Sequence, residues 1–295
     1  MIWKNNKNMF YNWIKSVIIV VNFYKKEVKM KVGYLGPKGT FSYEACRQYA
    51  KNGEEIVEYK TILDTILALE LGDVDEAIVP IENSLQGCVT DSIDTLIENE
   101  DIKVKGELLL EIKQNLMSKN DLDLEDIKEV YSHPQALAQC KKYLENNLPN
   151  AKITAVESTA MAAKMVSESN SAVACIGNIA CKEEYNLKLL KAGIQDNIYN
   201  KTKFWILSKE LNNEITENKM SMLFSVKDKP GALYSVLEIF NRYNLNLTKI
   251  ESRPAKTVLG EYYFLIDVSI ENRNEDDAIR EIKEKGIFVR ILGKY

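Results

Sequence analysis

The feature that most restricts how this chain can fold is a change of rhythm at residues 209–219 (KELNNEITENK), a polar, charged stretch that reads as a linker. Before it, short apolar segments alternate with amphipathic ones. Residues 31–35 (KVGYL) alternate as a strand and stop at Gly36-Pro37. A helix is expected over 41–50, with Thr40 or Ser42 as its cap. Another is expected over 61–71, where Ile62, Thr65, Ile66 and Leu69 recur at helical spacing before Gly72. Residues 77–81 (AIVPI) form a buried strand running into Glu82-Asn83-Ser84. Farther on, 129–132, 151–156 and 172–176 read as strands, and 134–145 and 158–166 as helices. This alternation predicts parallel sheet, with ligand-binding crevices at the strand ends. Segments 61–84 and 158–178 share one order of helix, polar turn, buried strand and polar turn. Two α/β lobes built alike, with a cleft between them, would produce that echo.

After the linker the order is strand (220–226), helix (230–243), two strands (247–252 and 260–270), helix (275–285) and strand (287–292). That is a complete β-α-β-β-α-β unit, the split ferredoxin-like arrangement of an α+β domain. A chain of 295 residues suits two or three domains. The division expected is an N-terminal extension (1–29), a two-lobed α/β domain (30–210), a linker (211–219) and an α+β domain (220–295).

Several function classes fall away on composition. A formal net charge of −4 and no basic run interleaved with aromatics argue against nucleic acid. The five cysteines are widely spaced, odd in number and without a C-x-x-C pair, which suits reduced thiols in the cytoplasm rather than disulfides or zinc. His133 is the single histidine, which removes any His-rich metal site; no metal and no cofactor are expected. The apolar run at 17–21 is too short to span a bilayer, and no small-residue cleavage site follows it. Lys26-Glu27-Val28 can be encoded by AAG GAG GUN, a ribosome-binding sequence, with Met30 one codon later. The natural protein is therefore expected to start at Met30, residues 1–29 being leader.

Four segments carry a family resemblance: 33–42 (GYLGPKGTFS), 80–87 (PIENSLQG), 132–140 (SHPQALAQC) and 200–204 (NKTKF). In this combination and order they resemble the prephenate dehydratases. Residues 231–234 (GALY) and 251–254 (ESRP) resemble the phenylalanine-binding motifs of that family's C-terminal ACT domain. The resemblance implies a periplasmic-binding-protein-like catalytic domain followed by a ferredoxin-like regulatory one. It further implies conversion of prephenate to phenylpyruvate, a step of L-phenylalanine biosynthesis, with phenylalanine as allosteric inhibitor. With no room for a chorismate mutase bundle before Met30, the chain is expected to be monofunctional. Arogenate, the amino analogue of prephenate, is the alternative substrate, and a two-lobed solute-binding protein the alternative class.

The reaction expels carbon dioxide and the ring hydroxyl, and aromatisation drives it. The protein must hold a dianion and assist the departing oxygen without over-stabilising the carboxylate that leaves. Arg47 is the only arginine before the linker, so lysines, hydroxyls and turn amides such as those of 36–40 and 83–84 are expected to hold the anion. By resemblance, Thr202 is the residue that hydrogen-bonds the departing hydroxyl. Glu82, Asn83 and Ser84 follow a buried strand and should point into the cleft, and Asn83 and Ser84 suit a helix cap as well. Ser132 and Gln139 match polar cleft residues, and Gly39, Thr40 and Phe204 complete the substrate site. His133, ahead of Pro134, is expected to hold a turn. The family's Thr-Arg-Phe appears here as Thr202-Lys203-Phe204, losing the planar grip of arginine, and Lys203 is expected to brace rather than to bind.

In the C-terminal domain the resemblance assigns phenylalanine to Gly231, Ala232, Leu233, Asn244, Leu245, Glu251, Ser252 and Arg253, at an interface between two copies. A homodimer is the minimum assembly, and a homotetramer is compatible with it.

Overall fold

The structure, a computed structural model, describes residues 29–210, 218–255, 262–271 and 275–295. The leader reading, residues 211–217 of the linker and residues 260–261 of the expected third strand of the C-terminal domain lie outside them.

The first lobe begins with β1 (Lys31–Leu35), α1 (Phe41–Tyr49), β2 (Glu55–Tyr59), α2 (Ile62–Leu71) and β3 (Glu76–Asn83). Thr40 Oγ1 accepts from Tyr43 N, and Thr61 Oγ1 from Asp64 N, so each capping hydroxyl satisfies a helix-start amide. Gly72 closes α2 in the left-handed region, at φ 82°. A short β4 (Gly87–Cys88) folds back on β3, and α3 (Thr90–Glu98) and β5 (Lys103–Glu111) complete the first pass. The chain then crosses to build the second lobe. It holds β6 (Asn115–Ser118), β7 (Glu129–Ser132), α4 (Pro134–Gln139), α5 (Lys141–Asn147), β8 (Lys152–Ala155), α6 (Thr159–Glu168), β9 (Val173–Gly177), α7 (Ala180–Glu184) and β10 (Lys188–Lys191). The single helix expected over 134–145 is two, because Cys140 N turns back to Leu137 O in a tighter bond and its backbone leaves the helical region. The chain returns as β11 (Lys201–Ser208), inserted between β3 and β5.

Both lobes have one topology. The first sheet runs β2-β1-β3-β11-β5 and the second β8-β7-β9-β6-β10. In each, the first three strands run parallel and the fourth runs antiparallel to both of its neighbours. The expected echo between 61–84 and 158–178 is α2-β3 answering α6-β9, the central strand of each sheet with the helix before it. Two connections join the lobes, residues 112–114 and 192–200. They are stitched together where Ile112 N donates to Asn200 O at 2.9 Å and Ile194 N to Gln114 O at 2.8 Å.

The C-terminal unit is β12 (Lys219–Val226), α8 (Ala232–Arg242), β13 (Leu247–Pro254), β14 (Tyr262–Ser269), α9 (Glu275–Glu284) and β15 (Phe288–Lys294). Its antiparallel sheet has the order β13-β14-β12-β15. One face is covered by α8 and α9, with Ile239 of α8 in one core with Met222, Phe224 and Ile266 of the sheet. The other face has no helix and lies on the first lobe. Leu223, Leu265, Leu292 and Tyr295 share one core with Trp205, Leu207 and Val104. Gly293 touches the β5 backbone, where an added Cβ would overlap Val104 O.

Candidate active site

The C-terminal ends of the parallel strands in each lobe face the other lobe, so the cleft is lined by the turns that follow them. What reaches it is decided by one irregularity in β3. Opposite β11, Phe204 pairs with Pro80 and Lys203 with Glu82, so Ile81 is the extra residue of a β-bulge. The bulge inverts the alternation for everything after it. Asn83 turns to the cleft with its partner Thr202, and Glu82 turns away with Lys203.

Asn83 is the hub. Its Oδ1 accepts from Leu85 N at 3.0 Å and Gln86 N at 3.1 Å, closing the turn into β4. Those two backbone donors decide which end of the amide faces β11, namely the nitrogen. Nδ2 donates to Thr202 Oγ1 at 2.9 Å, to Asn200 Oδ1 at 2.9 Å and, more weakly, to Lys201 O at 3.3 Å. Thr202 Oγ1 therefore spends a lone pair on Asn83 and keeps its own proton. Ser84 braces the same corner: its Oγ accepts from Lys201 N at 2.9 Å and donates to Tyr199 O at 3.2 Å.

Beside this group lies a cavity of about 380 Å³, lined by Leu85, Gln86, Gln135, Gln139, Asp196 and Asn200, among others. Gln135 Nε2 donates across the cleft to Gln86 Oε1 at 2.7 Å, and Gln114 Nε2 to Gln139 Oε1 at 3.0 Å. The lining is rich in neutral amides, with one carboxylate, that of Asp196, and includes no lysine or arginine among the described residues. Such a site can orient an anion through dipoles without clamping a carboxylate that has to leave.

The structure brings together Asn83, Ser84, Gln139 and Thr202. Glu82 does not join them, because the bulge sends it against the C-terminal sheet, where it pairs with Lys249 at 2.9 Å and Lys203 at 3.5 Å. Lys203 also stands 3.7 Å from Asp267, which fits bracing. Ser132 is 0% exposed, its Oγ donating to Ile176 O at 2.6 Å, so it ties β7 to β9 beneath the cleft. Phe204, 1% exposed, is core below Thr202 on the same face of β11. Gly39 and Thr40 sit where the lobes touch: Gly39 O accepts from Cys181 Sγ at 3.0 Å, and Thr40 caps α1.

Four of the turn amides expected to cradle the anion are already paired. Gly36 N donates to Tyr59 O, Lys38 N to Glu58 Oε2 and Thr40 N to Pro37 O; Ser84 N donates to Lys201 O. Asn83 closes a hairpin turn rather than a helix, since β4 intervenes before α3. His133 does hold a turn, its Nδ1 accepting from Gln135 N at 3.3 Å. Gln86, Gln135 and Asn200 were within the motifs quoted above and could have been found there. Gln114, in the first connection between the lobes, carries no signal in the sequence.

The family model for prephenate dehydratase matches residues 32–212, and that for the ACT domain residues 220–286. The chain belongs to the prephenate dehydratase family. It is 40% identical to the prephenate dehydratase of Bacillus subtilis over 282 residues, covering 90% of this chain and 98% of that one. It is 39% identical to a bifunctional chorismate mutase/prephenate dehydratase of Aquifex aeolicus over 91% of this chain and 74% of that one. The crystal structure of a prephenate dehydratase in complex with L-Phe from Arthrobacter aurescens superposes with a TM-score of 0.81 at 30% identity, over 90% of this chain and 89% of that one. The periplasmic-binding-protein-like fold followed by an ACT domain is thus a property of the family, and the activity is that of a hydro-lyase.

In the ACT domain, Gly231 (φ 79°) starts α8, with Ala232 and Leu233 in its first turn. The end of β13, with Ser252, lies at the same end of the sheet, because β13 runs parallel to β12. Asn244 (φ 55°) and the buried Leu245 follow the other end of α8. Eleven helical residues separate the two groups by about 16 Å. Glu251 and Arg253 point toward the first lobe, where Arg253 grips Asp94 through Nε at 2.8 Å and Nη2 at 3.0 Å.

Proposed function

We propose that the Asn83–Thr202 pair works the dehydration of prephenate. Residues 30–210 form the catalytic part, and residues 220–295, joined through 211–219, the regulatory one. The ring carboxylate leaves as carbon dioxide, and its C–C bonding pair becomes part of the new aromatic system. The C–O bond breaks with its pair on oxygen, and the Thr202 hydroxyl donates to that oxygen as it departs. The direction of the Asn83–Thr202 hydrogen bond carries this reading. Asn83 donates, so the Thr202 proton is available, and the same bond draws charge from Oγ1 as negative charge develops opposite it. Gln139 and the other amides of the cavity suit the substrate's polar groups, and the absence of a cation from the lining suits the loss of a carboxylate.

The ACT domain is the seat of phenylalanine inhibition in this reading, and a second copy completes its site. No 16 Å gap can be closed by one phenylalanine within a single domain, whereas two copies packed side by side could present Gly231, Ala232, Leu233 and Ser252 of one to Asn244 and Leu245 of the other. A homodimer is then the smallest regulated unit, and cytoplasmic residence follows from the pathway. The test is ultraviolet detection of phenylpyruvate formed from prephenate and, in parallel, of phenylalanine formed from arogenate, each with and without added phenylalanine. Turnover of prephenate in preference to arogenate, suppressed by phenylalanine, is the expected result. Preference for arogenate would reassign the substrate; turnover indifferent to phenylalanine would remove the regulatory role.

A further inference from the structure

We infer that Asn200 is a positioning residue for the dehydration step, holding the Asn83 amide in the orientation that leaves the Thr202 proton for the departing oxygen. The inference rests on the prephenate reading of this cleft.

An amide nitrogen has two protons, and three acceptors surround Asn83 Nδ2. Asn200 Oδ1 and Thr202 Oγ1 are each at 2.9 Å, with Lys201 O behind at 3.3 Å. With Asn200 Oδ1 present, one proton goes there and the other to Thr202. Without it, Lys201 O becomes the alternative, and Asn83 can tilt away from Thr202. A Thr202 hydroxyl released in that way can turn its proton to a neighbouring acceptor, and the departing oxygen loses its donor.

Asn200 is built to hold this position. Its carbonyl accepts from Ile112 N, and the next residue is fixed on both sides, Lys201 N donating to Ser84 Oγ and Lys201 O accepting from Ser84 N. Its side-chain orientation is forced, because a reversed amide would set donor against donor at Asn83. The residue is 1% exposed, and its own Nδ2 has no partner among the described residues. A buried amide donor left unpaired is unfavourable. Keeping an asparagine there makes sense if the oxygen end has a task that an apolar residue could not perform. Asn200 also lines the cavity, so this chain of hydrogen bonds begins at the site and ends at Thr202.

The experiment measures kcat and KM for prephenate in the full chain for Asn200→Ala, Asn200→Asp, Asn83→Ala and the Asn83→Ala/Asn200→Ala double variant. Asn200→Ala is expected to lower kcat roughly 10- to 100-fold, with KM within about threefold of the parent. Asn200→Asp still offers Asn83 an oxygen and should recover most of kcat, while its charge beside a dianion raises KM. Because Asn200 acts through Asn83, the double variant should be no slower than Asn83→Ala alone. Losses that multiply in the double variant, an Asn200→Ala change confined to KM, or an Asn200→Asp variant as slow as Asn200→Ala would each overturn the inference. If Asn200→Ala does not fold, the aspartate variant, nearly equal in volume, carries the test. Absence of turnover in the parent overturns the prephenate reading and this inference with it. Parent turnover with an unimpaired Asn200→Ala overturns this inference alone.

Discussion

A hydroxyl has one proton, so what Thr202 contributes depends on where that proton is sent. Asn83 occupies a lone pair of Thr202 Oγ1 and thereby directs the proton outward. Thr202→Ala should lower kcat by about 10²- to 10⁴-fold with little change in KM, since the lost bond matters mainly as the oxygen departs. Thr202→Ser, which keeps the hydroxyl but not the methyl group that packs it, should retain most of kcat. Steady-state rates of the two variants check this, and equal losses in both would show that the hydroxyl is not the active group. Lys203→Arg makes the complementary case. Lys203 faces Glu82 and Asp267 rather than the cavity, so restoring the family's usual arginine should change KM for prephenate by less than about twofold. A tenfold fall in KM would mean that residue 203 reaches substrate. Asn83, Gln139 and Thr202 could be picked from the motifs because each lies in a turn, a strand start or a helix where one residue meets the cleft. Glu82 could not be placed that way. Alternation along 77–81 sends it into the cleft, and only the pairing with a strand more than a hundred residues away reveals the bulge that turns it out.

At the scale of elements, what that bulge turns out becomes a joint. Lys249, on β13, reaches across to Glu82 at 2.9 Å. Arg253 clasps Asp94, and Arg290 donates to the carbonyls of Leu96 and Ile97 at the end of α3 and of Asn99 and Ile102 in the turn that follows. Arg290 thus supplies the positive C-terminal cap that α3 lacks in its own last turn. Its replacement by alanine should lower stability by about 2–3 kcal/mol, read from chemical denaturation, because four part-buried carbonyls lose a charged donor. A change below about 0.5 kcal/mol would make the contact incidental. The Glu82–Lys249 pair gives a pH signature. Burial pushes the Glu82 carboxyl up, but the hydrogen bond and charge of Lys249, aided by Lys203, outweigh it and leave the group below its usual 4.5. Burial likewise pulls Lys249 down, and the bond to Glu82 with the nearby acidic groups lifts it above 10.5. Glu82 therefore stabilises the folded chain above pH 4.5 and loses that contribution as pH falls through its lower folded value; Lys249 contributes below 10.5 and loses it as pH rises beyond. Thermal melting of Glu82→Gln should show a shallower fall below pH 4.5 than the parent, and parallel curves would exclude Glu82 from the acid response. Two elements at this joint, α3 and β5, were hidden in the sequence, whereas β3, β13 and β15 were expected there. β5 (KVKGELLLE) mixes charges into a half-buried edge strand because Lys105 and Glu107 find ionic partners in Glu76 and Lys219, so its alternation is masked.

For the whole molecule, the linker at 209–219 suggested two bodies on a string, and the packing is closer than that. Trp205 and Leu207 of the catalytic sheet share a core with Leu223, Leu265 and Leu292 of the ACT sheet, and Thr202 lies three residues from Trp205 on the same strand. The twin topology of the lobes was legible because helix-then-strand units are local; the shared core was not, because it joins the helix-free face of one sheet to a strand whose partners are distant in sequence. A ligand on the ACT domain therefore meets a sheet packed directly on the strand that carries Thr202, a contiguous packed path between the two sites. If phenylalanine binds between two copies, each site needs the start of α8 from one protomer and the loop after α8 from its partner. Leu233→Ala and Asn244→Ala chains should then each lose phenylalanine binding, by roughly tenfold or more, when pure. Co-expressed in equal amounts, they should form mixed dimers in which one of the two sites is whole, about a quarter of the parent's sites over the random population. Calorimetric titration of the mixture reads that fraction directly. Recovery near a quarter places each phenylalanine across two copies and makes assembly a condition of feedback. No recovery, with mixed dimers demonstrated by mass, would place both residues in one protomer's site and require α8 to move when phenylalanine binds.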